Sequence, residues 1–177
     1  MEHKGLRGGA AVLVGLSASV AVAATAAAGA AVLRFADSLK DYSSATAGPF
    51  DHASARLQLV DRATGATAVL HVRGVDPSVA GRTFGAHLHD GPCSTDSPAA
   101  ASGHYNADAH ADHVPVVVSR QTEVWLDFTV DDGAGTATAS VPFVPQPGTR
   151  SVVVHAAETD PHTGTAGARL ACLPVEW

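Results

Sequence analysis

Histidine is the residue to follow in this chain, because ten of them stand among 177 residues and their spacing is uneven. His87 and His89 lie two positions apart in a stretch that reads as a strand. Both imidazoles therefore leave one face, while Leu88 points to the other. Two rings fixed in that way can take adjacent positions on one metal ion. A second group follows in Gly103-His104-Tyr105-Asn106, with His110 and His113 just beyond. His155 closes the apolar run Ser151-Val152-Val153-Val154, where a strand leaves a core and can aim one ligand without a flexible tether. His52, His71 and His162 read as surface residues, His71 because it alternates onto a polar face with Thr67 and Arg73.

Aiming such groups requires rigid elements, and from residue 53 onward the hydrophobic pattern has period two. Ala66, Ala68, Leu70 and Val72 share one face; Thr67, Val69, His71 and Arg73 share the other, after the turn signal Ala63-Thr64-Gly65. Further strands are expected over 53–60, 83–89, 123–130, 135–141, 150–155 and 169–173, with Asp131-Asp132-Gly133 as a hairpin turn. Trp125 and Phe128 belong to the core or its rim. No stretch after residue 50 has a capped helical period. Short strands at close spacing, punctuated by Gly and Pro, imply an all-β sandwich or barrel.

The rest of the chain bounds location and partners. Residues 8–33 are 26 consecutive uncharged positions, and a membrane-spanning helix needs about 20. Lys4 and Arg7 precede them as the positive flank of a signal peptide or an anchor. The run exceeds a secretory apolar region of about 7 to 15 residues, yet Ala26-Ala27-Ala28 offers a cleavage pattern. Cleaved signal and retained anchor both stand, and either exports the remainder of the chain. Residues 37–49 mix charges with small residues and read as a linker or a loosely held first strand. The expected division is 1–33 signal or anchor helix, 34–50 linker, and 51–177 one β domain. The chain carries −6, and residues 34–177 alone carry −7. That balance argues against nucleic acid or an anionic membrane surface as main partner, leaving membrane contact to the N-terminal segment. In an exported protein, the two cysteines Cys93 and Cys172 read by default as a disulfide.

Gly85-Ala86-His87-Leu88-His89, Gly103-His104-Tyr105-Asn106, Val152-Val153-Val154-His155 and Gly164-Thr165-Ala166-Gly167-Ala168-Arg169-Leu170-Ala171-Cys172 resemble, in order, the motifs of the copper/zinc superoxide dismutase family. The similarity covers roughly residues 53–172. It implies a Greek-key β-barrel of about eight antiparallel strands with an immunoglobulin-like two-sheet core. It implies copper held by His87, His89, His104 and His155, and dismutation of superoxide anion to oxygen and hydrogen peroxide. His104 and Arg169 would be the catalytic residues, Arg169 drawing the anion in, and Cys93–Cys172 would be the family's disulfide. The donor set agrees: four imidazoles without thiolate suit copper or zinc, and only copper alternates between oxidation states.

The chain also departs from the family. The zinc-bearing branch follows its bridging histidine with two more histidines and an aspartate at longer spacings than His104, His110 and His113 show here. Its zinc aspartate would fall near Glu123-Val124, where no Asp stands. Only 13 residues separate His155 from Arg169, fewer than in that branch. These changes resemble the copper-only branch, and Glu123 is expected to accept a hydrogen bond from the non-copper nitrogen of His104, fixing its tautomer. Two bland alternatives stand beside this: Glu123 as a solvating edge charge, and His110 and His113 as a solvated loop. Zinc at His104, His110, His113 and Asp108 or Asp112 remains a second expectation. Thr165 stands where the family often has Asn, and Leu173 where Gly is usual. Two rival functions use the same ligands: a copper-binding or copper-buffering module without turnover, and a catalytically silent structural domain. Neither needs Arg169.

Overall fold

The structure is a computed structural model that describes residues 31–42, 48–112 and 114–177. The expected signal or anchor helix, residues 1–30 of it, and His113 lie outside the described residues. Among those described, no helix is long and apolar enough to cross a membrane.

Ten strands run in chain order: β1 (Val32–Ser38), β2 (Lys40–Asp41), β3 (Ser54–Arg62), β4 (Gly65–Arg73), β5 (Thr83–Phe84), β6 (Ala86–His89), β7 (Phe128–Thr129), β8 (Ala134–Val141), β9 (Thr149–His155) and β10 (Arg169–Glu176). They form one sheet of order β1-β3-β4-β8, a second of order β2-β10-β9-β6, and a small β5-β7 pair. All pairings are antiparallel. The expected all-β sandwich is what the chain builds.

Alternation supplies its core. Leu57 and Leu59 from β3, Leu70 and Val72 from β4, Leu88 from β6, Val152 and Val154 from β9 and Leu173 and Val175 from β10 are buried together. One end is closed by Phe50, which meets Phe84 edge-on at 5.1 Å and Phe128 at 6.3 Å. The β3–β4 hairpin turns at Gly65, where φ is +137° and a Cβ would lie 2.0 Å from the Val141 carbonyl oxygen, so only glycine fits. Asp132 and Gly133, with φ of 45° and 69°, make the expected β7–β8 hairpin.

Three expectations are corrected. The 34–50 linker is largely part of the domain: β1 pairs with β3 from Val32↔Val60 to Ser38↔Ser54, and β2 pairs with β10. Asp37, Ser38 and Lys40 dilute the pattern, but Leu33 and Phe35 pack against the core, and Leu39 and Phe50 are buried in it. The strand expected over 83–89 breaks at Gly85, so that β5 and β6 join different sheets. A Cβ there would meet the Ala166 side chain at 2.6 Å and Thr159 Oγ1 at 2.9 Å. The strand expected over 123–130 is regular only at β7; before that, single bridges of Glu123 to Asn106 and Trp125 to His87 hold the chain.

The disulfide joins Cys93 and Cys172, with Cα atoms 5.6 Å apart at a sequence separation of 79. It ties the segment after β6 to β10, which begins at Arg169.

Candidate metal centre

β6 and β9 are neighbours, and their register sets His89 opposite Ser151 and His87 opposite Val153. Leu88 goes into the core as its parity requires, and His87 and His89 go to the other side. That side is covered by residues 101–106 and 156–167, so both rings are fully buried, and His155 is 5% exposed. His104 joins them through a single bridge to His89. One ring nitrogen from each of His87, His89, His104 and His155 lies within 4.8 Å of the other three, a group that can hold a metal ion.

The opposite nitrogen of every ring is engaged, which fixes the tautomers. Carbonyl and carboxylate oxygens only accept, so a nitrogen facing one carries the proton. His89 Nδ1 donates to the Ser102 carbonyl at 3.2 Å, and His155 Nδ1 to that of Gly167 at 3.2 Å. His104 Nδ1 donates to Glu123 Oε2 at 2.7 Å. His87 is held by a relay: its Nε2 lies 2.7 Å from Thr159 Oγ1, which donates its own proton to Asp127 Oδ1 at 2.7 Å. The hydroxyl therefore accepts from His87 Nε2. Asp127 also takes the Thr159 amide at 2.9 Å. What remains is His87 Nδ1 and three Nε2 atoms, all bearing lone pairs.

Two observations say that this set fits a cation. His87 Nδ1 is buried without a hydrogen-bond partner, a condition that costs about 1–3 kcal/mol. His89 Nε2 and His155 Nε2 face each other at 3.2 Å, although the carbonyls behind them fix both as acceptors. A positive ion between them removes both defects. Three of the rings, His87, His89 and His155, are neutral at ordinary pH: burial, reinforced by neighbouring histidines, pushes His89 down to about 3. Burial likewise drives His155 down to about 4 against the opposing Gly167 hydrogen bond, and drives His87 well below the usual range. Neutral imidazole is the form that binds metal.

Glu123 is not an edge charge in solvent. It is 3% exposed and receives His104 Nδ1 and Trp125 Nε1 (2.8 Å) on Oε2 and Asn106 Nδ2 (3.0 Å) on Oε1. Burial raises its carboxyl, but these three donors outweigh burial and hold it below the usual range. The expected contact with His104 is present.

Arg169 lines an open cleft of about 620 Å³ together with His104, His155, Glu123, Gly164 and Thr165. Its guanidinium donates to the carbonyls of Pro98 and Ser102. Both lie in the segment that the disulfide pins, and Ser102 O also takes the His89 proton. A register irregularity between Arg169 and Ala171, opposite His155, sets where the arginine leaves the sheet.

Of the second-metal set, His113 lies outside the described residues, and the described members do not converge with His104 on one site. His110 Nε2 pairs with Asp90 at 2.9 Å and its ring stacks on Tyr105 at 4.6 Å. Asp108 takes the Val117 amide at 3.0 Å, Asp112 is exposed, and the Nδ1 that His104 could offer a second ion is held by Glu123. Among the described residues the four histidines form the only such group. Sequence reasoning missed Thr159 and Asp127, and it gave Asn106 and Trp125 no part in holding Glu123. Thr159, four residues after His155, carried a faint signal, but Asp127 becomes meaningful only once the fold sets it against that turn.

Compared with known proteins, the chain matches no protein-family model and no curated sequence.

Proposed function

We propose that the chain is an exported, copper-dependent superoxide dismutase, with the closed Greek-key barrel that its motifs imply. The observation that carries this reading is the convergence of four imidazole nitrogens, each ring held from behind by a hydrogen bond, beside a cleft that holds Arg169. His87 would hold the ion through Nδ1, and His89, His104 and His155 through Nε2. Bound copper supplies a centre that changes oxidation state, so that one superoxide is oxidised and the next reduced, which zinc cannot provide.

The chain's own residues bind the substrate and manage protons. Arg169 is anchored through two carbonyls and keeps further N–H groups for a small anion. In a chain of net charge −6 the mean field repels superoxide, so attraction has to come from this cation within about 8 Å, the screening length at physiological salt. Glu123 keeps the proton on His104 Nδ1 and leaves Nε2 as the exchangeable position. Whenever that nitrogen is free of the ion, a proton accepted there would make a cation that the Glu123 carboxylate balances. His104 is the most open of the four, its side chain 19% exposed, so it is the ring a proton from solvent reaches first. The Cys93–Cys172 disulfide is consistent with an extracytoplasmic location.

Arg169→Gln separates this reading from a copper-binding module of the same fold. The enzyme should lose tenfold or more in kcat/KM and most of its ionic-strength dependence, with copper content unchanged. Turnover that does not respond to the substitution contradicts the proposal.

A further inference from the structure

The outer face of the β1-β3-β4-β8 sheet is basic, although the chain as a whole is acidic. Outward positions along these strands carry Arg34, Arg56, Arg62, His71 and Arg73 among Val, Ala, Ser, Thr and Gln, with no Asp or Glu. Four of the chain's eleven Lys and Arg residues therefore stand on one sheet face. The cross-strand register makes them one patch. Arg56 is directly opposite His71, Arg34 is opposite Gln58 one step along from Arg56, and Arg73 is opposite Ser54 one step the other way. Arg56 and His71 are shared by two adjoining depressions, one reaching Arg73 and the other Arg34. Among the described residues, Arg34, Arg56 and Arg73 form no ion pair. Four arginines on one sheet face with no carboxylate among them give it a local positive potential that favours an anionic partner.

We infer that this face docks on the anionic phospholipid headgroups of a membrane. Charge complementarity names the chemistry, since arginine forks match phosphate oxygens. The chain names the source: β1, which carries Arg34, begins at Val32, within the last two residues of the uncharged run 8–33. The segment leading into the face is thus apolar enough to enter a bilayer, and the first basic residue after it lies at the headgroup level. The four histidines lie on the outer side of the other sheet, so docking leaves their cleft toward solvent. Net charge hides this surface, because the acidic residues are elsewhere.

The test is sedimentation of the full chain with phosphatidylcholine vesicles and with vesicles containing phosphatidylglycerol. Partition into phosphatidylcholine reads the apolar segment alone. The anionic excess for three arginines should be on the order of 100-fold at low salt, before the chain's net charge reduces it, and should vanish at high salt. R34Q/R56Q/R73Q should abolish the excess and leave phosphatidylcholine partition and thermal stability unchanged; R34K/R56K/R73K should keep it. Equal partition into both vesicles overturns the inference, as does an excess that survives the glutamine variant. Salt-sensitive binding to dextran sulfate without any lipid excess overturns it too, by making the partner a soluble polyanion.

Discussion

Glu123→Gln is the substitution whose consequence the structure fixes most tightly. The carboxylate faces three donors, and an amide replaces one of its two acceptors with a donor. If the amide oxygen stays toward His104 and Trp125, its NH2 meets Asn106 Nδ2, also a donor. Asn106 cannot turn over without harm, because Nδ2 also donates to the Val117 carbonyl and Oδ1 accepts the Asp108 amide. The opposite amide orientation sets NH2 against two ring N–H groups. One buried charge-assisted hydrogen bond is lost in the first orientation and two in the second, and in both a donor faces a donor. The expected loss is about 2–4 kcal/mol, or on the order of 10 °C in Tm at this domain size. The assay is thermal unfolding of metal-free wild type and variant. Acidification provides an internal check. Glu123 titrates lower in the folded than in the unfolded state, so its stabilisation is present above the ordinary Glu range and is lost as pH falls through the lowered folded value. The glutamine variant should lack that acid limb. A variant within about 0.5 kcal/mol of wild type, with the same acid limb, would refute the reasoning.

Other outcomes follow from the same geometry. Metal-free protein should lose stability as pH falls below about 6.5. His89 and His155 stay neutral in the folded state down to about 3 and about 4, and each then contributes up to about 1.4 kcal/mol per pH unit because only the unfolded state takes the proton. Tm measured from pH 8 to pH 5 checks this, and a flat profile contradicts it. Thr159→Val breaks the Asp127–Thr159–His87 relay and should weaken copper binding about 10- to 100-fold in competition with a chelator, with Thr159→Ser restoring it. Replacing Cys93 and Cys172 by Ser releases a 79-position separation and should cost on the order of 4–5 kcal/mol in chemical denaturation.

Much of this site was legible because its logic is local. The i, i+2 spacing of His87 and His89 about a core-facing Leu88 follows from strand parity alone, and His155 at the end of an apolar run sits where a strand must exit. Glu123 was reachable only through a resemblance, since nothing local separates it from a solvated edge charge. Thr159 and Asp127 were hidden because they belong to a turn and a non-repetitive segment 32 positions apart, brought together only by the fold. β1 and β2 were obscured for another reason: an edge strand is half solvated, and Arg34, Asp37 and Lys40 make it read as a linker. The fully buried state of His87 and His89 was also not local, because the loops over residues 101–106 and 156–167 cover them.

The most direct test of the central claim is superoxide disappearance catalysed by the copper-loaded full chain, freed of unbound metal, with copper and zinc measured on the same sample. The account expects rapid turnover proportional to bound copper and independent of zinc. Tightly held copper without turnover, or no copper retained by the four histidines, would contradict it.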